Sequence, residues 1–404
     1  MVNGWKTKKL GEVAEVCMCK RIFAHQTSKI GNIPFYKIGT FGKEADAYIS
    51  SQLYEEYKAK YSYPEKGDVL ISAAGTLGRT VVFDGRPAYF QDSNIVWLKI
   101  DKSQLCNDYL AHYYKVIKWA SSEGSTISRL YNGIICDTEI LLPPLEEQAA
   151  IAEVLSDVDS LISSLQSLIK IKKAIKQGAM QELLTGKKRL LGFSGEWETR
   201  KVGELCDIVT KQTGFDYTST IKPNLIEHPQ SNALPMIQTK NFEGRKFDFS
   251  TDYYIPADIA KEFDKIVLDT VCLLFSIVGA SVGNIGLFPG DKVAFCGGAI
   301  GIAKFYHEID AIYAFYYFLS ESGQQQIRNV TKDGAQATVT IEDIREFTIP
   351  YPNLKERTMI AQTLSDMDSE IEQLEKKLAK YQQIKQGMMQ ELLTGRIRLV
   401  DQYN

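Results

Sequence analysis

The stretch PPLEEQAAIAEVLSDVDSLISSLQSLIKIKKAIKQGAMQELLTGKKRL, residues 143–190, decides the architecture of this chain because the chain contains it twice. The second copy is PNLKERTMIAQTLSDMDSEIEQLEKKLAKYQQIKQGMMQELLTGRIRL, residues 352–399, and 25 of the 48 aligned positions are identical without a gap. Weaker matches lie upstream, where WKTKKLGE at 5–12 corresponds to WETRKVGE at 197–204. A period of about 200 residues indicates a duplicated domain, because solenoid repeats span only about 20–50 residues.

Both copies are predicted to form long helices that pack against a partner helix. Apolar residues recur at alternating spacings of four and three, which is the heptad pattern of a coiled-coil seam. The predicted helix-pair interface consists of Ile151, Leu155, Val158, Ile162, Leu165 and Ile169 in the first copy and Ile360, Leu364, Met367, Ile371, Leu374 and Leu378 in the second. Prolines before each copy and Thr-Gly pairs near its end favour a helix start and a helix end, so each helix should span roughly 40 residues.

The charges along the two helices predict an antiparallel pair. The first helix is acidic in its first half and basic in its second half, and the second helix is mixed, then acidic, then basic. An antiparallel pair sets acid against base, whereas a parallel pair sets like charges together. The alternative is that these charges only solvate a helix surface. Gly178 and Gly387, at matched helix positions, indicate either a close helix crossing or a local kink, since each costs about 1 kcal/mol relative to alanine.

The segments outside the helices are predicted to be two folded heads, the first head at 1–142 and the second head at 192–351. The helical segments then occupy 143–191 and 352–404. Strands are predicted at 68–71, 95–98, 271–275 and 300–303, and helices at 107–114 and 311–319. The predicted fold class is α+β, a tandem repeat with pseudo-two-fold symmetry in which two heads are separated by two long antiparallel coiled-coil helices.

Two glycine-rich turns are the first candidate nucleic-acid contacts. SAAGTLGR at 72–79 and SIVGASVGN at 276–284 each follow an apolar strand, and neither ends in the GK[ST] of a P-loop. As structure, they simply reverse the chain. As function, small residues let backbone N–H groups approach phosphates, while an arginine suits guanine and an asparagine suits adenine. The candidates are Gly75, Thr76, Arg79, Ser281 and Asn284.

Polar positions that differ between the two heads are the second group of candidates. Lys37 and Thr40 follow an Ile-Pro pair in the first head, and Gln238, Lys240 and Asn241 follow a Leu-Pro pair in the second. Two readers of different targets need such differences, although ordinary surface drift produces them too. The remaining candidates are Gln91 and Asn94, which stand opposite Cys296 and Ala299, and Lys20 and Lys211, which are candidate phosphate contacts on charge alone.

The composition restricts the function further. The formal net charge is −3, so DNA binding requires local basic surface or partner chains that add charge. No signal peptide and no apolar run of about 18 residues is visible, which predicts a cytoplasmic protein. The sequence contains no HExxH, GxSxG, Walker A or glycine-rich cofactor motif and no NPPY-like tetrapeptide, so we expect no catalytic site, no metal and no cofactor in this chain.

This arrangement resembles the specificity subunit of type I restriction-modification systems. The resemblance covers essentially the whole chain: two variable heads alternate with two near-identical helices, introduced by PPLEEQ or PNLKER and ended by QELLTG. It implies that each head is a target recognition domain that reads one half of a split, asymmetric site in double-stranded DNA. It also implies that the helices set the spacer and dock two methylation subunits carrying S-adenosylmethionine, and that restriction subunits with ATP and magnesium join for cleavage.

Two alternatives stay open at the level of sequence. The chain would also fit as the specificity subunit of a system whose partner is a fused nuclease-methylase. The second alternative is a coiled-coil adaptor whose heads bind proteins, because neither head is strongly basic.

Overall fold

A computed structural model describes residues 4–117, 119, 129–331 and 337–400 of the chain. The chain divides into two compact units: a first unit of Met1–Gln166 with Lys376–Asn404, and a second unit of Ser167–Glu375. Each unit therefore contains most or all of one head together with parts of both long helices. Both units combine helices with small sheets, so the predicted α+β class is confirmed. The predicted four-segment division of the chain stays a prediction.

The two long helices extend over Leu145–Leu183 and Leu354–Leu392, 39 residues each, as predicted. The first begins directly after Pro144, and the second begins one residue further from its proline, after Pro352 and Asn353. Beyond each helix end, Gly186 and Gly395 take φ angles of 70° and 73°, the left-handed conformation in which glycine is favoured. The duplicated Thr-Gly motif therefore ends both helices by the same backbone geometry.

Ion pairs within each unit show that the helix segments run antiparallel. In the first unit, Asp159 pairs with Lys385, whereas the earlier Glu147 pairs with the later Arg398. In the second unit the order is again reversed, and the pairs are Lys172–Glu370 at 2.7 Å and Lys176–Asp368 at 2.5 Å. The prediction that acidic and basic helix halves face each other is thus confirmed in both units.

The two helix glycines do not mark a close helix crossing. A Cβ atom added at Gly178 or Gly387 would meet no described atom within 4 Å, and both positions are exposed. The close-crossing explanation of these residues is therefore wrong, because nothing packs against them.

The described part of the first unit contains three small sheets. Its four-stranded antiparallel sheet has the order Ala14–Cys17, Ile95–Ile100, Val69–Ser72 and Thr80–Val82. A three-stranded sheet has the order Tyr48–Ile49, Ile33–Tyr36 and Tyr89–Phe90, and Lys6–Lys9 pairs antiparallel with Glu139–Leu142. The helices are Leu10–Glu12, Ala24–Gln26, Ser51–Lys60, Asn107–Tyr113 and Asn132–Asp137.

The second unit repeats this plan with additions. One four-stranded sheet has the order Cys206–Lys211, Ile300–Phe305, Cys272–Ser276 and Ile285–Phe288, and another has the order Tyr254–Pro256, Ala233–Ile237, Ala294–Cys296 and Val267–Leu268. Phe242–Glu243 pairs with Lys246–Phe247, and Glu198–Lys201 with Thr348–Tyr351. The helices are Val202–Leu205, Gly214–Asp216, Tyr217–Ile221, Lys222–Asn224, Thr239–Asn241, Ala257–Lys261, Asp264–Ile266, Glu308–Leu319, Glu321–Val330 and Ile341–Glu346. The strands and helices predicted in both heads are confirmed, with ends shifted by at most three residues.

The long helices contribute to the core of each head. Ile151 and Leu155 are fully buried in the core cluster of the first head, and Ile360 and Leu364 occupy the matched place in the second. These four residues thus pack within head cores, although they were predicted as part of a helix seam. Of the other predicted seam residues, Leu165, Ile169 and Ile371 are buried, and Val158, Ile162, Met367, Leu374 and Leu378 are partly buried.

The start of the second long helix differs from that of the first because of one buried pair. Gln148 in the first unit donates to the carbonyl groups of Gln104 and Pro143. Its counterpart Arg357 is also buried, and its Nε lies 2.8 Å from Asp310. The change from PPLEEQ to PNLKER therefore replaces an amide by an arginine whose charge is compensated inside the second head.

Candidate nucleic-acid interface

The turn at 72–79 in the first head is held by one buried serine. Ser72 Oγ accepts the N–H of Arg79 at 2.9 Å and donates to the carbonyl of Thr76 at 2.5 Å. Gly75 and Gly78 take φ angles of 68° and 74°, which only glycine adopts without strain. Gly75 and Thr76 are exposed, so their backbone is accessible to a phosphate.

The turn at 276–284 in the second head has the same construction. Ser276 Oγ lies 2.7 Å from Ser281 Oγ, and the Ser276 N–H donates to the carbonyl of Asn284 at 2.9 Å. Gly279 and Gly283 take φ angles of 84° and 93°. Both heads thus present a glycine-rich turn at the end of the same core strand, anchored by a serine.

The two predicted base contacts on these turns differ in accessibility. Arg79 is half-buried, and its Nη1 donates to the carbonyl of Phe41 at 3.0 Å. The Asn284 side chain is exposed and has no hydrogen-bond partner among the described residues. Asn284 is therefore the freer of the two to contact DNA.

The turns that follow the Ile-Pro and Leu-Pro motifs are stabilised by two of the predicted contacts. Thr40 Oγ1 accepts the N–H of Lys37 at 3.1 Å, and Asn241 Oδ1 accepts the N–H of Gln238 at 2.8 Å. Asn241 also donates to two backbone carbonyl groups at 3.0 and 2.8 Å, and its exposed fraction is 2%. The prediction that Asn241 contacts DNA is therefore wrong, because the side chain is buried and fully used inside the head.

The four predicted lysines are on the surface or half-buried, with different partners. Lys37 and Lys240 each form an ion pair with an aspartate of their own head: Lys37–Asp46 at 2.8 Å and Lys240–Asp252. Lys20 lies over the ring of Tyr61 at 5.1 Å. Lys211 is exposed at the end of a strand and forms no ion pair with any residue that the structure describes.

Several predicted residues come together around a cavity in each head. The first-head pocket has a volume of about 380 Å³ and is lined by Lys37, Gln91 and Asn94, with Arg21 and Asp92 beside them. The second-head pocket has a volume of about 410 Å³, and the polar residues that line it include Gln212, Gln238 and Lys240. The residues of the two glycine-rich turns, and Lys20 and Lys211, do not line either pocket.

Sequence reasoning missed three pocket residues. Arg21 and Asp92 form an ion pair at 2.8 Å across the first-head pocket, and Gln212 lies in the second-head pocket with an exposed fraction of 4%. Each is a direct neighbour of a residue that was singled out: Arg21 follows Lys20, Asp92 follows Gln91 and Gln212 follows Lys211. The available signal was proximity to the strand ends, and it does not reveal which neighbour points into a cavity.

The thiols next to these pockets are unreactive. Burial raises the pKa of the Cys19 thiol to about 12, and burial also raises the pKa of the Cys296 thiol well above its usual range. Both cysteines therefore stay protonated near neutral pH. Covalent chemistry at a cysteine needs the thiolate, which these two residues do not form under such conditions. Within the described ranges, no group of three or more His, Cys, Asp or Glu side chains is arranged to hold a metal ion.

Comparisons with known proteins identify the family of this chain. Residues 3–177 and 194–386 match the model of a family described as type I restriction modification DNA specificity domain. The chain therefore belongs to this family, and the same domain occurs in it twice.

Individual relatives include proteins named as type I restriction enzyme specificity subunits. A Haemophilus influenzae protein named as a type I restriction enzyme specificity subunit is 56% identical over 160 residues, which cover 40% of this chain and 42% of that protein. The EcoBI specificity subunit of Escherichia coli is 23% identical over 406 residues, which cover 93% of this chain and 83% of the relative. A crystal structure of the S subunit from M. genitalium has the same fold, with a TM-score of 0.63, 15% identity and coverage of 97% and 96%.

Of the helices in the described part of the chain, none combines the length and apolar character needed to cross a membrane.

Proposed function

We propose that this chain gives a type I restriction-modification complex its DNA sequence specificity, with each head reading one half of a split, asymmetric site. The observation that carries the proposal is the pair of pockets, which occupy matched places in heads of one fold but have different polar linings. Recognition of two different half-sites requires heads of one fold whose DNA-contacting side chains differ. Family membership supports the same function and does not favour the protein-binding adaptor.

The chain acts through partners in this proposal. Two methylation subunits bring S-adenosylmethionine and the methyl-transfer chemistry, restriction subunits bring ATP-dependent cleavage with magnesium, and this chain is itself non-catalytic. The net charge of −3 supports such a division, because partners would have to supply much of the DNA-binding surface. A cytoplasmic location, where genomic DNA is accessible, belongs to the same proposal.

An exposed apolar stripe on the first long helix supports docking of a methylation subunit. Leu168, Ile171 and Ile175 are 39%, 55% and 53% exposed and follow each other at spacings of three and four. Such spacing lines one side of a helix, and exposed aliphatic side chains in a row mark contact surfaces. Of the three matched positions in the second helix, 377 and 380 are lysines and only 384 is an exposed isoleucine, so the complete stripe belongs to the first copy of the repeat.

A methylation map of genomic DNA tests the proposal. Cells that express this chain together with its methylation subunit should show a split, adenine-methylated motif that disappears when the chain is deleted. An assembled complex that leaves no such motif and binds no DNA in vitro would contradict the proposal. Purification of the complex also distinguishes a system with separate methylation and restriction subunits from one with a fused nuclease-methylase. The fused partner would appear as one larger chain.

A further inference from the structure

The two pockets are built from corresponding parts of the duplicated heads. Each is lined by the segment that follows the first strand of a four-stranded sheet, residues 21–27 in one head and 212–217 in the other. Each also includes the residue after the post-proline strand, Lys37 or Gln238, and part of the aligned segments 91–94 and 296–299. The cavity is therefore a feature of the shared framework.

The linings of the two pockets differ in chemistry. The first-head pocket is charged, because Arg21 and Asp92 form their ion pair there. The second-head pocket instead combines the amides of Gln212 and Gln238 with Lys240, and glycines 297 and 298 stand where the first head has Asp92 and Ser93. Duplication preserved the cavity and changed the groups that a ligand would meet.

Gln212 has an unused hydrogen-bonding group in the second-head pocket. Its Nε2 donates to the carbonyl of Cys296 at a long 3.4 Å, and no described residue donates to its Oε1. A Cβ atom at Gly298 would lie only 3.0 Å from this oxygen, so glycine leaves the oxygen uncovered. The oxygen is not among the described polar atoms that are fully buried without a partner, so it is accessible from the pocket and can accept a hydrogen bond from a ligand.

We propose that the two matched pockets are the sites where the heads discriminate bases, and that Gln212 recognises an exocyclic amino group in the major groove. This inference rests on the proposed function of the chain. Adenine N6 and cytosine N4 are the two amino groups that B-DNA presents there, and adenine is the usual partner of glutamine side chains. Gln238, on the facing segment of the pocket, is placed to contribute a second amide to the same base edge.

The test uses the complex of the full chain with its methylation subunits and a panel of DNA duplexes. Each position of the methylated motif is replaced in turn by the other three base pairs, and methyl-transfer rates are measured for wild type and for Gln212→Met. We expect Gln212→Met to relax one position of one half-site by roughly 5- to 150-fold, the range for loss of a good base contact. At that position the wild type should prefer adenine or cytosine, and a wild-type preference for guanine or thymine would overturn the assignment.

Matched variants separate base reading from a structural role. Gln325→Met makes the same chemical change in the same head, on an exposed side chain bonded only to Asn329 and Arg328, and should leave every position unchanged. Gly298→Ser should weaken the same position as Gln212→Met, because the added atoms crowd the amide oxygen. Arg21→Met in the first-head pocket should relax a position in the other half-site only.

The outcomes distinguish this inference from the proposed function. A wild-type complex with a split motif that Gln212→Met and Arg21→Met leave unchanged would overturn the pocket assignment alone. A uniform fall in rate on all duplexes, together with a lower Tm, would also overturn it, because that pattern indicates damaged packing. A wild-type complex without any motif would contradict the proposed function itself.

Discussion

Arg398 forms a two-pronged ion pair with the buried carboxylate of Glu147, with Nε–Oε1 and Nη2–Oε2 distances of 2.6 Å each. Glu147 is 1% exposed and also accepts a hydrogen bond from the Trp5 indole at 3.0 Å. The segment after the second long helix is thereby fixed to the start of the first long helix within one unit.

The second unit contains the same arrangement. Arg189 pairs with Glu356 through distances of 2.5 and 2.6 Å, and Trp197 donates to the same carboxylate at 3.1 Å. Each unit thus neutralises one buried glutamate at a helix start with an arginine that follows the end of the other long helix.

Removing Arg398 should destabilise the first unit strongly. Arg398→Met leaves the carboxylate of Glu147, which is 1% exposed, without its cation, and removing one partner of a buried charge is destabilising. Arg396→Met is the matched control, because Arg396 is exposed and its 3.2 Å pair with Glu391 should contribute no more than about 1 kcal/mol. Thermal and denaturant unfolding measure the difference, and equal effects of the two changes would refute the role given to Arg398.

Filling the two helix glycines should stabilise the chain. Gly178→Ala and Gly387→Ala each remove a poor helix former where the added Cβ would meet no described atom within 4 Å outside its own stretch of helix, so each should add about 1 kcal/mol to the free energy of unfolding. Gly323→Ala should do the reverse, since its Cβ would lie 2.2 Å from the carbonyl oxygen of Tyr317. Denaturant titration of the chain without partners checks both directions, and destabilisation by Gly178→Ala would contradict the open surroundings of that residue.

Acid should destabilise the first unit through His112. Burial, aided by Lys115 and Lys385, lowers the pKa of His112 from its usual 6.5 to about 4, and this lowering prevails over the opposing charges of Asp159 and Asp108. Above pH 6.5 the ring is neutral in both folded and unfolded chains, whereas between pH 6.5 and about 4 mainly the unfolded chain binds a proton. Stability should therefore fall as the pH drops through this window.

The variant His112→Gln tests that origin. It removes the titrating ring, so the fall in the Tm of the first unit between pH 7.5 and 5 should become smaller than in wild type. An unchanged pH dependence would show that other groups cause the loss.

The exposed stripe on the first long helix should be needed for assembly. Ile171→Glu with Ile175→Glu should reduce the co-purified methylation subunits from two per chain to one, while the Tm of the chain alone stays close to wild type. Lys380→Glu occupies the position of the second helix that matches Ile171, and it should leave assembly intact. Normal assembly of the double variant would show that the stripe is not a docking surface for a methylation subunit.

Lys211 should contribute to affinity without contributing to sequence choice. Because Lys211 is exposed and unpaired within the described ranges, Lys211→Ala should weaken all duplexes alike and reduce the slope of log K against log salt by about 0.9. Lys201→Ala, which removes an exposed lysine paired with Glu346, is the control. A changed preference between base pairs would contradict a pure phosphate contact.

The helical part of the architecture was predictable because its signals are local and repeated. Heptad spacing, prolines and Thr-Gly pairs fixed both helices to within a few residues, and the charge pattern indicated the antiparallel order later seen in pairs such as Lys176–Asp368. The predicted helix-pair interface was only partly right. The same spacing also arises where a helix packs on a head core, as at Ile151 and Leu155.

The site was predictable only in outline. Comparison of the two copies led to Lys37 and Gln238, because the framework around them agrees and the residues differ. The same reasoning included Asn241, whose burial depends on the course of the chain at 248–250, and it missed Gln212, whose orientation depends on Gly298 and Cys296. These contacts join segments distant in sequence, which no local pattern reveals.

Exchange of one head for a copy of the other is the most direct test of whether each head specifies one half of the DNA site. Each head is entered and left through one antiparallel strand pair, so residues 6–142 can replace 198–351 between matched strands. The helix residues that pack against the heads are the same at Ile151 and Ile360 and at Leu155 and Leu364, and Arg357→Gln should accompany the exchange because Asp310 is lost. A methylation map should then show two identical half-sites, both with the sequence read by the first head. A motif that keeps the original second half-site would contradict it.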